Sequence, residues 1–164
     1  PDGYFKYRYL WDVLIERMGL EYRKLMRDFS GDTVILEFSR GSEHGGYQSA
    51  FEHLTDEIIK DLAILYINVS WEESLRKNQR RFNPNRPDSI LEHGLPDEKL
   101  EKMYRETDWG TITQGHPNRI PVRNNKVPFA VFENEDDVTT GQGPALGKRL
   151  EKVLGQLWIE YQKK

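Results

Sequence analysis

The sequence predicts an α/β fold in which about three parallel strands are flanked by helices. Three observations predict it. Short apolar runs rich in β-branched residues alternate along the chain with stretches of helical period. The runs are continuously apolar, as in strands buried on both faces. Each of the first two is followed by a polar loop or cap and then a helical pattern, and strands in this order pair in parallel through right-handed crossovers. Groups that bind ligands then gather at the carboxyl ends of the strands.

Taken in order, Leu10, Val13, Leu14, Met18, Leu25 and Phe29 follow helical spacing between Tyr9 and Phe29, with Gly19 as a kink or break. Ser30-Gly31-Asp32 precedes a first strand, Thr33 to Phe38. The loop from Ser39 to Gly46 carries three glycines and leads to a helical pattern at Tyr47, Ala50, Phe51, Leu54, Ile58 and Leu62. Ala63 to Val69 is a second strand, and Ser70 caps a helix from Trp71 to about Arg81, with Glu73 completing a capping box. Pro84 and Pro87 make residues 83–88 a loop. A helix starts near Pro96 and ends around Trp109, and residues 111–126 read as irregular with room for a short strand. Val127 to Phe132 is the third strand, and the stripe Leu146, Leu150, Val153, Leu154, Leu157, Trp158 and Tyr161 marks a C-terminal helix.

At 164 residues the chain has the length of a single domain, 1–164, and its seven Phe, eight Tyr and four Trp supply enough large side chains to exclude disorder. The absence of cysteine removes disulfides, thiolate metal sites and cysteine nucleophiles, and agrees with a reducing cytoplasm. No apolar run approaches the roughly 20 residues that cross a bilayer, so the expectation is a soluble protein without a membrane partner. A formal net charge of −3 argues against a nucleic-acid partner. Because the chain begins with Pro1 and three strands are few for a doubly wound sheet, a further N-terminal portion is expected to precede this region.

Two constellations carry candidate chemistry. Glu37 and Arg40 stand at the end of the first apolar strand, where a carboxylate can hold Mg2+ or orient a hydroxyl and a guanidinium can pair with phosphate; equally, the two can pair with each other or with surface charges. The second is the basic helix and loop of Arg76, Lys77, Arg80, Arg81 and Arg86. Glu72 and Glu73 stand four residues before Arg76 and Lys77 and can support the helix with them, whereas Arg80, Arg81 and Arg86 lack such local partners. They suit a nucleotide's phosphates, or simply a basic helix end favoured by the helix dipole. The four histidines are too dispersed for a zinc site. Gly141 to Arg149 imitates a phosphate loop, but Gln142 and Arg149 stand where that motif requires Gly and Ser or Thr, so the segment reads as the approach to the last helix.

In succession, Leu36-Glu37-Phe38-Ser39-Arg40-Gly41, Tyr66 to Arg76, the arginines at 80, 81 and 86, Leu91 to Tyr104 and Val127 to Asn134 resemble the second half of a P-loop nucleoside or nucleotide kinase of the deoxynucleoside kinase type. Phe38 and Ser39 separate the Glu from the Arg, where that family's Glu-Arg-Ser type motif keeps them together. The resemblance implies a three-layer, parallel-sheet P-loop NTPase-like fold, here a partial domain with a lid and following helix over 76–109. It implies ATP and Mg2+ as cofactors and a small-molecule phosphoryl acceptor such as a nucleoside or nucleotide. Glu37, Arg40, Arg80 and Arg81 would be catalytic, Arg76, Arg80, Arg86 and Asn134 would contact the nucleotide, and Glu37 would meet the metal. A phosphate loop upstream would be required for activity. The alternative is a non-catalytic interaction module that meets a partner through an open sheet edge; a homo-oligomer is a separate option.

Overall fold

A computed structural model describes residues 5, 7–25, 31–86, 88–89 and 92–163. The expectations that rest on Phe29, Pro87 and Leu91 lie outside these residues. The chain forms two compact units, Pro1–Leu62 with Glu106–Val127, and Ala63–Arg105 with Pro128–Lys164.

Helix α1 (Tyr9–Leu25) opens the first unit and runs unbroken through Gly19. The glycine serves packing: a Cβ there would stand 2.7 Å from Thr55 Cγ2, so its absence lets the two segments approach. That outweighs the roughly 1 kcal/mol a helical glycine costs. After an irregular run at 32–40 and a 3-10 turn (Ser42–His44), the predicted 47–62 helix appears as two pieces, α2 (Gly46–Glu52) and α3 (Asp56–Ile59), with Thr55 in extended conformation between them. Ile15, Ala50, Phe51, Leu54, Ile58 and Ile59 are buried here.

The chain then builds most of the second unit with β1 (Ile64–Asn68), α4 (Trp71–Arg81) and α5 (Asp97–Tyr104). Helix α5 stops five residues short of Trp109, which instead begins α6 (Trp109–Thr113) back in the first unit. Strand β2 (Arg119–Val122) follows, and β3 (Asn125–Glu133) passes from the first unit into the second. A single turn, α7 (Val138–Gly141), and the long α8 (Pro144–Tyr161) complete the second unit. Pro144 sits in the first turn of α8, where a missing N–H costs nothing. Helix α8 contacts β1, and its Val153 and Leu157, four residues apart on one face, are buried.

The sheet overturns the predicted fold class. Its order is β1-β3-β2, with β1 and β3 parallel from Ile64↔Phe129 to Asn68↔Glu133 and the remaining pairing antiparallel. Only two residues, Arg123 and Asn124, join β2 to β3, and so short a connection can close only an antiparallel hairpin. Arg123 takes φ 51° to make it. The fold is therefore mixed α/β with a small sheet, and not a three-layer parallel P-loop sheet. Residues 33–38, expected as a buried strand, form no regular element and alternate between half-buried (Val34, Leu36, Phe38) and exposed (Thr33, Ile35, Glu37). Among the described residues they join no ladder and make no backbone–backbone hydrogen bond. Phe38 holds the run in place from one side, its ring 6.2 Å from Tyr47 and 6.3 Å from Phe51.

Candidate functional site

Ser70 fixes the start of α4. Its hydroxyl accepts from Glu73 N at 3.3 Å and donates to Glu135 at 2.7 Å, while its own N–H also bonds the Glu135 carboxylate. The expected capping box is thus half formed, because Glu73 turns away to Arg76 and Lys77. Along the helix, side chains four apart share a face, so Arg76 projects beside Arg80 and Lys77 beside Arg81.

The Arg76 and Arg80 pair meets one carboxylate. Arg76 Nη2 lies 2.6 Å from Asp137 Oδ1, and Arg80 Nη1 lies 3.0 Å from Asp137 Oδ2. Arg76 also donates through Nε to Glu73 at 2.7 Å. Arg76's hydrogen bonds hold the Glu73 and Asp137 carboxyls below their ordinary range, and the same bonds, accepted by those carboxylates, push the guanidinium of Arg76 up. Arg149 grips Asp136 through two parallel bonds of 2.9 and 2.6 Å and depresses that carboxyl too.

Lys77 bonds both the backbone oxygen and Oδ1 of Asn134, each at 2.7 Å, and Thr139 Oγ1 donates to the same Oδ1 at 3.0 Å. Asn78, 3 % exposed, donates to Leu95 O at 2.7 Å and accepts from Leu95 N at 2.9 Å, stitching α4 to the segment before α5. Between these groups lies a cleft of about 530 Å³, within the size range of small-molecule sites. Lys77, Arg80 and Arg81 supply its cationic lining; Asn134, Thr140 and Gln142 supply neutral polar groups.

Of the residues expected to act together, Arg80, Arg81 and Asn134 line this cleft, and Arg76 stands beside them through Asp137. The expectation that three arginines are uncompensated needs correction. Arg80 has Asp137, and Arg86 faces Glu92 at 3.4 Å, so only exposed Arg81 of the three makes no ion pair among the described residues.

Glu37 and Arg40 belong to the other unit. Glu37 is exposed on the irregular run. Arg40 is 3 % exposed; its Nη2 bonds Asp12 Oδ1 at 2.5 Å and His44 O at 2.9 Å, and its guanidinium carbon stands 5.8 Å from the centre of the Trp11 ring. That is the setting of an anchor for the 41–46 loop. Among the described residues no three His, Asp or Glu side chains group to hold a metal ion, and no helix is long and apolar enough to cross a membrane.

Lys77 belonged to the basic constellation read from the sequence, where pairing with Glu73 was its alternative role. Two residues in or beside the cleft escaped that reading. Asn78 gave no signal, being one polar residue in a polar helix. Asp137 had one usable signal, an acidic run directly after a strand whose parallel neighbour leads into a basic helix. No protein-family model matches the chain, and no curated protein or solved structure matches it significantly.

Proposed function

We propose that the second unit binds the phosphates of a nucleotide in the cleft beside α4, and that the chain is part of an ATP-dependent small-molecule kinase. The observation that carries this reading is the placement of Lys77, Arg80 and Arg81 along one cleft with Arg81 free of any acidic partner among the described residues. A guanidinium offers paired donors that match phosphate oxygens, and charge-assisted bonds of this kind are the strong ones. Asn134, Thr140 and Gln142 offer the hydrogen bonds that a sugar or base would use.

In this reading Arg81 holds the phosphates, Arg80 exchanges Asp137 for a phosphate oxygen, and Lys77 adds its charge from its seat on Asn134, so that these cations offset charge on the group in transfer. The acceptor is a small hydroxyl compound such as a nucleoside or nucleotide. A Mg2+ ion arrives with the nucleotide phosphates, as Mg2+ commonly does, because exposed Glu37 alone does not make a metal cage.

Calorimetric titration of the 164-residue chain with Mg-ATP at low salt tests the proposal. Saturable binding is expected, weakened about tenfold or more by Arg81→Ala, since a hydrogen bond to a charged group contributes about 1.5–3 kcal/mol. Arg86→Ala, away from the cleft lining, should leave it unchanged. No heat of binding at millimolar Mg-ATP, or equal affinity in wild type and Arg81→Ala, overturns the reading.

A further inference from the structure

Among the described residues two that are not glycine take a positive φ, Arg123 at 51° and Gln142 at 48°. An L side chain is strained in that region and persists there when its surroundings make use of it. At Arg123 the use is within the fold: Nη1 donates to Leu54 O at 2.6 Å, and Nη2 stands 2.7 Å from Asp56 Oδ1. Gln142 has no such employment. Its backbone N–H closes α7 onto Val138 O at 3.2 Å, a bond glycine would make as well, and its exposed side chain makes no hydrogen bond among the described residues. The glycines stand on either side instead. Gly141 ends α7 and Gly143 sits at φ −99°, a value any residue adopts, while the left-handed position after the helix, where glycine is usual, carries glutamine. A Cβ on Gly141 would meet nothing within 4 Å, and one on Gly143 only the Gly141 carbonyl oxygen at 3.8 Å. Crowding within the fold therefore does not demand these glycines. They leave bare backbone on both flanks of one amide, as where a ligand approaches closely, and that amide lines the cleft beside α4.

We infer that Gln142 is a specificity-determining residue, its carboxamide reading the edge of the nucleobase whose phosphates lie on Arg80 and Arg81; this rests on the phosphate reading of the same cleft. The chemistry of the amide selects the moiety. A carboxamide sets one acceptor beside one donor in a plane and forms two parallel bonds with a partner that offers the converse. Every nucleobase has such an edge. Phosphate oxygens offer acceptors alone and would leave the amide oxygen idle. The contacts also come from different elements of the second unit: Lys77, Arg80 and Arg81 from α4, and Gln142 from the turn between α7 and α8. One wall thus supplies charge and the other supplies a neutral, directional amide.

Calorimetry of the 164-residue chain with Mg-ATP and with Mg-tripolyphosphate, which keeps the phosphates and lacks the base, tests this. Gln142→Gly and Gln142→Ala both remove the amide, but only glycine relieves the backbone, so the pair separates side chain from strain. Both variants are expected to weaken Mg-ATP binding by about fivefold or more, the loss of neutral hydrogen bonds, and to leave Mg-tripolyphosphate unchanged. Gln142→Gly should also raise the melting midpoint by about 2–4 °C; a midpoint that falls removes the strain on which the inference stands and overturns it. Unchanged Mg-ATP affinity in both variants overturns it too. So does a loss confined to Gln142→Gly, which assigns the effect to the backbone, or an equal loss for tripolyphosphate, which puts the amide on phosphate. AMP and ribose 5-phosphate separate base from sugar: Gln142→Ala should weaken AMP alone, and an equal loss for ribose 5-phosphate overturns the base assignment. Arg81→Ala keeps the two readings distinct, since it should weaken both Mg-ATP and Mg-tripolyphosphate. If it weakens neither, the phosphate reading falls and this inference with it; an Arg81 response without a Gln142 response overturns this inference alone.

Discussion

Arg80 donates to Asp137 across 3.0 Å although 57 residues separate them in sequence. The same carboxylate takes Arg76, so one acidic side chain restrains two cations on a single helix face. An anion entering the cleft competes with Asp137 for Arg80. Replacing Asp137 with Asn removes the competitor's charge while keeping its shape. Asp137→Asn is expected to tighten Mg-ATP binding by about fivefold, a modest gain because the pairs are solvent-exposed and screened. Parallel calorimetry of the two proteins checks it. Binding in both with no difference would show that Asp137 exerts no restraint.

The same acids set a pH dependence. Glu73, Asp136 and Asp137 titrate below their ordinary values because Arg76, Arg149 and Arg76 respectively bond the ionised forms. A carboxyl whose folded value is depressed binds fewer protons folded than unfolded, so its contribution is present above the unfolded value and is lost as pH falls through the folded one. The window therefore lies at and below about pH 4, where ordinary carboxyls titrate. Thermal melts from pH 6 down to pH 2.5 should show the midpoint falling through that window, and falling less in Asp137→Asn.

Asn78→Ala tests the stitch between α4 and the segment leading to α5. The substitution leaves the N–H and carbonyl of Leu95 unpaired, each formerly bonded to the amide. The expected loss is about 2 kcal/mol, measured by urea denaturation. Amides near Gly94 and Leu95 should also exchange faster than in wild type.

Gly46 and Asp108 make a coupled pair in the first unit. Asp108 accepts from Tyr47 N at 2.7 Å and Gln48 N at 2.9 Å at the start of α2, and a Cβ on Gly46 would collide with its carboxylate. Gly46 also takes φ 66°, which side chains rarely adopt. Gly46→Ala is expected to cost about 1–3 kcal/mol and Asp108→Ala about 1 kcal/mol. The double variant should cost less than the sum, because the second change removes the collision the first creates. Additive losses in chemical denaturation would show that the backbone angle alone carries the glycine requirement.

The regular elements of the second unit were legible because local rules sufficed. Ser70 and the apolar run before it placed β1 and α4, Asp97 and Glu98 placed the start of α5, and the apolar stripe placed α8. What failed depended on partners distant in sequence. Thr33 to Phe38 has the composition of a strand, yet a strand is completed by a neighbour, and composition does not report whether one is present. A short strand was allowed for within 111–126, but Pro121 and the flanking charges obscured the alternation that would have placed β2, and with it the hairpin that makes the sheet mixed. At the cleft, the basic residues could be read from helical spacing, but their pairing with Asp137 joins segments that only the fold brings together.

The hold of Lys77 and Thr139 on Asn134 has a consequence for chemical taste. An ammonium has only protons to give, so the amide oxygen must face Lys77, and the amide cannot turn over without losing that bond. The amide nitrogen on the other side of the group is thereby fixed as a donor. A ring nitrogen or keto oxygen suits such a donor, and an amino group does not.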